Sequence, residues 1–576
     1  MLLPASKKGV GNLFQFVLMM TMKKLYFYSV ALFMLVSCGK DKGTTPKPPD
    51  PVIPDSFSFS ALKVNDVSAG FTYNNINTAP EVRISFSESL NKSSVAGNIT
   101  FKSAAGTDVA YKATYADGDK TVIIKPSAAL QNIAKYTVAV NTGLKSVKDG
   151  NLLSGITVQL MTVIDSANKF PVITDAALLD KVQRQTFKYF WDFGHPTSGL
   201  ARERNTSGDV VTSGGSGFGI MAIVTGVSRG YITREQGLER VQKITSFLKN
   251  NAAKFHGAFP HWLNGTTGVV VPFSADDNGA DLVETAYLIE GLLTARQYFT
   301  GGGAEATLRS DINAIWDGVE WDWFRQGDQN VLYWHWSPDK GWTINMQIKG
   351  WNEALIIYAL AASSNTHAIP KTVYENGWAG NGSMKNGSSY YGIQLPLGPA
   401  QGGPLFFEHY SFLGIDPNGL TDAYANYETQ TKAHTLINHN YCVANPKNYV
   451  GYSADCWGLT ASDIKGGYTA SSPTNDVGFI APTAAISSMP YTPDESMKAL
   501  KFFYYKLGDK LWGEYGFYDA FSLNEPWFAD SYLAIDQGPI IVMIENYRTG
   551  LLWDLFMSCP EVKNGMKDLG FSGPHL

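Results

Sequence analysis

Two rhythms of apolar and polar residues divide the chain. Between about residues 57 and 163, apolar positions alternate in short runs such as Val82-Arg-Ile-Ser-Phe86, Thr121-Val-Ile-Ile124 and Tyr136-Thr-Val-Ala-Val140. Asp117-Gly, Asn141-Thr-Gly and Asp149-Gly separate them. Period-two alternation broken by turn residues predicts antiparallel strands, and strands at this spacing predict a small β-sandwich. After Phe170-Pro the period lengthens. Residues 178–193, 233–255, 307–324 and 495–512 read as amphipathic helices with charge along one side. Between them lie stretches of small and apolar residues: 217–227, 280–299, 352–364, 477–488 and 538–553. Polar-faced helices alternating with apolar ones are what an outer ring around a tightly packed inner ring requires. The expected fold is mainly α, an (α/α)6 toroid of six helical hairpins behind an N-terminal β-sandwich.

Composition sharpens this division. A chain of 576 residues exceeds one ordinary domain, and 44% hydrophobic content supplies a large core. The expected boundaries are 1–38 for a leader, 39–55 for a linker, 56–165 for the sandwich and 170–576 for the toroid. Lys and Arg number 46 against 51 Asp and Glu, without blocks of either sign, which argues against a nucleic-acid partner. All fourteen Trp lie from Trp191 onward, so any stacking surface belongs to the second domain.

The leader has a basic start at Met22-Lys-Lys, an apolar run from Leu25 to Val36, and Leu35-Val-Ser-Cys38. That order reads as a secretory signal, with Met22 sufficient as its start. The apolar run is too short to span a bilayer. Leu-Val-Ser-Cys resembles the lipobox of bacterial lipoproteins, which implies acylation at Cys38, a membrane anchor and a place in the bacterial cell envelope. The Pro-rich segment that follows suits an extended spacer. Cys442 and Cys456 fit either a disulfide or two buried thiols. Ala79-Pro-Glu-Val-Arg-Ile-Ser-Phe and Lys135-Tyr-Thr-Val-Ala-Val resemble a bacterial Ig-like domain.

The chemistry is expected where loops enter the apolar helices. Asp277, Asp281 and Glu284 follow at i, i+4 and i+7, a spacing that a helix would stack on one face. Further loops carry Lys349-Gly-Trp351-Asn352-Glu353, Asp455-Cys-Trp457, Asn524-Glu-Pro-Trp527 and Asp536-Gln537. Carboxylates with aromatic platforms and no metal motif are the parts of glycoside hydrolysis, in which one acid protonates the leaving oxygen and a second carboxylate activates water or attacks. Trp334-His335-Trp336, Trp342, Trp351, Trp457 and Trp527 are the candidate platforms, since sugar C–H faces stack on aromatic rings. Asp536-Gln537 reads equally as a cap for a helix starting at Pro539.

Ser213-Gly-Gly-Ser-Gly-Phe-Gly, the Asp277–Glu284 stretch, Trp334-His-Trp-Ser-Pro, Gly350-Trp-Asn-Glu353 and Ile535-Asp-Gln-Gly-Pro-Ile occur in one order. Through these motifs residues 172–570 resemble the glycoamylase-like family, glycoside hydrolase family 144, whose characterised members cleave β-1,2-glucan. The resemblance implies an (α/α)6 barrel, an inverting mechanism and no metal, and no cofactor is expected. It also implies essential acids at Asp277, Asp281, Glu284 and Glu353, with Glu353 assigned here as general acid. Asp281 and Glu284 are assigned to sugar hydroxyls or the attacking water, with Asp455 and Asp536 as reserve bases. The expected substrate is a β-glucan, cut internally by a monomer. The competing readings are an α-glucan glucoamylase, a polysaccharide lyase using Asn438-His-Asn-Tyr441, and a glycan-binding lipoprotein without turnover.

Overall fold

A computed structural model of the protein describes residues 56–576. The leader, Cys38 and the linker lie outside the described residues. The described chain divides into two compact units, one built mainly from residues up to 159 and one from residue 160 onward.

The first unit carries strands β1 (Phe59–Val64), β2 (Thr72–Ile76), β3 (Val82–Phe86), β4 (Ile99–Ser103), β5 (Tyr111–Ala116), β6 (Thr121–Pro126), β7 (Lys135–Val140) and β8 (Ile156–Thr162). They form two sheets, in the orders β1-β3-β6-β5 and β2-β8-β7-β4. The alternation is realised in the register. Val82 faces Ile124 and Ile84 faces Val122, all four fully buried, while Arg83 and Ser85 point the other way.

The second unit is a ring of helices. Its inner members include α2 (Ser213–Ser228), α4 (Leu282–Tyr298), α6 (Leu355–Ser363), α9 (Pro482–Ile486) and α11 (Ala534–Thr549). Every residue of α2 from Ser213 to Gly226, and of α4 from Leu282 to Arg296, is buried. This explains why these stretches carry almost no polar face. Around them lie α1 (Asp175–Trp191), α3 (Arg234–Asn250), α5 (Ala304–Asp317), α8 (Tyr427–Ala444), α10 (Pro493–Leu511) and, after the single turn α7 (Lys371–Val373) and the short α12 (Leu551–Met557), α13 (Pro560–Leu569). Glycines let the inner helices touch: α2 packs against α4 and α11. A methyl group on Gly217 would fall on the carbonyl oxygen of Tyr287, and one on Gly291 on that of Gly217. The fold is the expected (α/α)6 toroid.

Two segments of the ring have no counterpart in the hydrophobic pattern, and one reading needs correction. The inner position between α6 and α9 is not an apolar helix. It is built from the 3-10 turns Leu405–Glu408 and Tyr410–Phe412, tied to the turn just after α9 by a His409–Ser488 bond of 3.0 Å. Its outer partner α8 buries a polar row, Gln430, His434 and Asn438, beside the apolar Ala433, Ile437 and Tyr441. Glu408 accepts from His434 Nδ1, Gln430 Nε2 and Trp351 Nε1 at 2.8–2.9 Å. Finally, α11 starts at Ala534, so Pro539 lies inside it, and Asp536 and Gln537 belong to its first turns rather than capping it. Cys442 and Cys456 are unpaired buried thiols, which resolves that alternative.

The glycine contact yields a prediction. Gly217→Ala forces α2 off α4 and should cost about 2–3 kcal/mol, read as a lowered midpoint in thermal unfolding. An unchanged midpoint would mean that the two helices do not pack this closely.

Candidate active site

The stretch from Phe273 to Glu284 is a loop, a two-residue strand and a helix start. Asp277, Asp281 and Glu284 are therefore not stacked on one helix. Asp277 is in the loop, its amide donating to Ser274 Oγ. Asp281 pairs with His335 in a short antiparallel ribbon, Ala280–Asp281 against His335–Trp336. It also caps α4, its Oδ1 accepting from the amides of Val283 and Glu284 at 3.0 Å. Glu284, in the first turn of α4, reaches the start of α2, where Gly214 N–H donates to Oε2 at 2.8 Å.

Two histidines close the cluster. His261 Nδ1 lies 3.0 Å from Asp281 Oδ2 and its Nε2 lies 3.8 Å from Glu284 Oε1. His335 Nε2 is 3.3 Å from Asp277 Oδ2 and 3.5 Å from Asp281 Oδ2. All five side chains are buried. Burial opposes charge on His261, but Glu284, Asp281 and Asp277 outweigh it and lift the imidazole to about 9. Burial and the Asp281 charge push Asp277 up to about 6. Burial would raise Asp281 too, yet its bonds to His261 and His335 hold it well below the usual carboxylate range. Glu284 is raised, by burial first.

His261, Asp277 and Asp281 present ligand atoms within 4.8 Å of one another and are the described residues that could hold a metal ion. A protonated His261 has no lone pair to offer, so a metal would first have to displace that proton.

Glu353 lies in the turn just before α6 and is 4% exposed. Its carbonyl oxygen accepts from Ser411 Oγ at 2.5 Å and from Tyr287 OH at 3.4 Å. Tyr287 sits one turn after Glu284 on α4. Its buried phenol feels first the loss of solvent and then the charges of Glu353 and Glu284, so the two acid groups share one neighbourhood. Asn352 Oδ1 receives the Ala354 amide and shapes the turn.

A second acid group was not legible in the sequence. Asp463 accepts from Arg204 and from Ser531 Oγ, and its own amide donates to Asp519 Oδ2 at 2.6 Å. Asp519, buried beside the Asp463 charge, is pushed up to about 7. Asp536 is raised well above its ordinary value by burial and by Asp519. Asp536 in turn acts on the buried phenol of Tyr410, which also feels Tyr287 and Glu353.

The aromatic candidates separate. Trp336, Trp342 and Trp527 are half-buried. Trp334 is 5% exposed and stacks on His335 with 14° between the rings. Trp351 and Trp457 are core residues. Trp351 donates to Glu408, and Trp457 is fully buried, edge-on to His439 and donating to Glu495 O. Neither offers a free face to a sugar. Asp455 is exposed in the turn Ser453–Cys456. The candidate lyase residues are structural as well: Asn438 brackets the Leu459 backbone and Tyr441 donates to Asp476.

The charge pattern gives a stability prediction. His261 titrates higher folded than unfolded, so its contribution is fully present below about pH 6.5 and is lost as pH rises through about 9. The unfolding free-energy difference between wild type and His261→Gln should shrink across that window by about 3 kcal/mol. A difference that stays flat with pH would remove the charged-histidine assignment.

Comparison with known proteins bears on both units. Residues 60–162 match the bacterial Ig-like domain family, and residues 345–560 match the glycoamylase family. An endo-β-1,2-glucanase from Chitinophaga pinensis, solved with sophorotriose and glucose, is 53% identical. That match covers 70% of this chain and 100% of the other, with a TM-score of 0.69. A β-1,2-glucanase from Parabacteroides distasonis is 39% identical over 91% of this chain and 74% of its own, with a TM-score of 0.68. An exo-β-1,2-glucooligosaccharide sophorohydrolase (non-reducing end) from that organism is 50% identical over 428 residues. That match takes in 70% of this chain and 59% of the relative's length. With full coverage of the Chitinophaga chain at more than half identity, the chain belongs to the glycoamylase family.

Proposed function

We propose that the protein is a glycoside hydrolase that cleaves β-1,2-glucan internally by an acid/base mechanism. The observation that carries this reading is the shared neighbourhood of Glu353 and Glu284 at Tyr287, whose hydroxyl bonds the Glu353 carbonyl oxygen and whose phenol feels both acids. Glu284 is linked through His261 to Asp281, and Asp281 through His335 to Asp277. Relatives named for β-1,2-glucan cleavage support the substrate. Internal cleavage is the part of the proposal left to the product analysis below, since an endo-acting and an exo-acting relative each match 70% of this chain, at 53% and 50% identity.

Glu353 acts as the general acid, giving its proton to the glycosidic oxygen as the bond to the anomeric carbon breaks. Water attacks that carbon from the opposite face and inverts it, passing a proton to a carboxylate. Asp281 is a poor acceptor. Two backbone amides and His261 already hold its charge, with His335 close by. Asp277 and Glu284, whose proton affinity burial raises, are the groups able to take the proton. Asp281 anchors them, and cationic His261 offsets their repulsion. We further propose a lipid anchor at Cys38 in the bacterial cell envelope, supported by Leu35-Val-Ser-Cys38; radiolabelled palmitate should enter wild type and not Cys38→Ala.

The functional test is sugar release from a panel of linear glucans and anionic polysaccharides, with products resolved by size. Oligosaccharides of mixed length from β-1,2-glucan are expected, and Glu353→Gln should lower kcat by about a thousandfold or more. Sophorose alone would make the action exo, glucose from starch would transfer the enzyme to α-glucan, and unsaturated uronates would make it a lyase. The rate should also fall on the acid side with a midpoint near pH 6 as Asp277 takes up its proton. If Asp277→Asn keeps that limb, Asp277 is not the group responsible.

A further inference from the structure

Beyond Trp336 the second unit has a recess of about 460 Å3 that contains none of the acids of the two clusters. Trp323 and Trp342 form its aromatic lining, with Asp322, Gln326, Asp328 and His367 among its polar groups. Its walls are fixed before any ligand arrives. Trp323 stacks on His256, with centroids 3.5 Å apart and 9° between the rings, and His256 Nδ1 is bonded to Glu320 at 2.8 Å. Trp342 lies against Trp323 at 4.8 Å and edge-on to Tyr333 at 5.7 Å. Asp322 holds His367 at 2.9 Å. One rim is a turn in which Gln326, Gly327 and Asp328 take φ of 49°, 81° and 64° in succession. Left-handed backbone at two residues bearing Cβ atoms needs support. Arg325 provides it, bonding Gln329 O at 2.9 Å and Asp328 O at 2.7 Å.

The lining chemistry selects the ligand. Both indoles remain half-buried; Trp323 is already stacked on both His256 and Trp342, so Trp342 is the ring that can offer a face to a guest. Around it stand carboxylate, amide and imidazole groups, and no Lys or Arg lines the recess. A phosphate or uronate would meet repulsion there. A neutral saccharide would not, because its C–H faces suit indole and its hydroxyls donate to carboxylates. The recess is also joined to the active site. Trp336 meets Trp323 edge-on at 5.4 Å, and the residue before it, His335, reaches Asp277 at 3.3 Å.

We propose that this recess is an accessory glucan-binding site that holds one stretch of a polysaccharide while another occupies the catalytic cleft. The inference rests on the β-1,2-glucanase reading and extends it from the cleaved bond to the length of the substrate. A chain held at two places dissociates more slowly than one held at one, so the site should favour long glucan over short.

The experiment compares Trp342→Ala, Trp342→Phe and Asp322→Ala, each in the wild type and in the Glu353→Gln background. Binding of long β-1,2-glucan and of a β-1,2-linked trisaccharide to the Glu353→Gln proteins is measured by calorimetry, and KM and kcat are measured for the active ones. Trp342→Ala should weaken polymer binding and raise polymer KM by about tenfold, with kcat and trisaccharide affinity retained. Trp342→Phe, which keeps a ring, should lose less. Unchanged polymer binding in an otherwise active protein would overturn the accessory site alone. An equal loss for the trisaccharide would overturn it too, by making the recess part of the cleft. A wild type inert towards β-1,2-glucan would instead bring down the functional reading, and the accessory site with it.

Discussion

The arrangement depends on one carboxylate serving two masters. Asp281 closes the N-terminus of α4 with one oxygen and binds His261 with the other. The cap is a backbone requirement, since the first amides of a helix buried along its whole length have no water to turn to. The histidine bond is an electrostatic requirement, because three acids this close need a cation among them. Meeting both at one residue ties the site to the scaffold. The helix that carries Glu284 and Tyr287 cannot shift along its axis without disturbing the acid cluster.

The same economy appears around the ring. Inner helices without polar faces can approach closely only where side chains are absent, and Gly217 and Gly291 supply that approach between α2 and α4. Close approach in turn brings the α2 start to Glu284, so that Gly214 N–H binds its carboxylate. Packing distance and active-site geometry are therefore one variable in this sector.

How much of this was legible in the sequence follows from what periodicity can carry. The sandwich strands and the apolar inner helices α2, α4 and α6 were legible, because burial writes itself into hydrophobic spacing. Asp277, Asp281 and Glu284 do come together as their spacing suggests, but not for the reason the spacing gives. They converge through a loop, a cap and a helix turn, not one helical face. His261 was overlooked, although a lone His between Pro260 and Trp262, just ahead of the acid stretch, was the available signal. Arg204, Asp463 and Asp519 come from three distant segments and leave no spacing to read. Trp351 and Trp457 show the reverse error, since composition cannot tell an indole that faces a cleft from one that fills a core. The α8 segment is not legible because its buried face mixes Gln430, His434 and Asn438 with Ala433, Ile437 and Tyr441, which blurs the hydrophobic period.

That polar sector has a consequence for how such a chain can diverge. Where α6 packs through Leu355, Ile356, Ile357 and Leu360, one aliphatic side chain can replace another at little cost. Where α8 meets the turn at Glu408, the contact is a set of directed bonds among Glu408, His434, Gln430 and Trp351, and a change at one leaves a buried partner unsatisfied. Change in this part of the ring therefore calls for joint replacement, because these four side chains are held by one set of bonds.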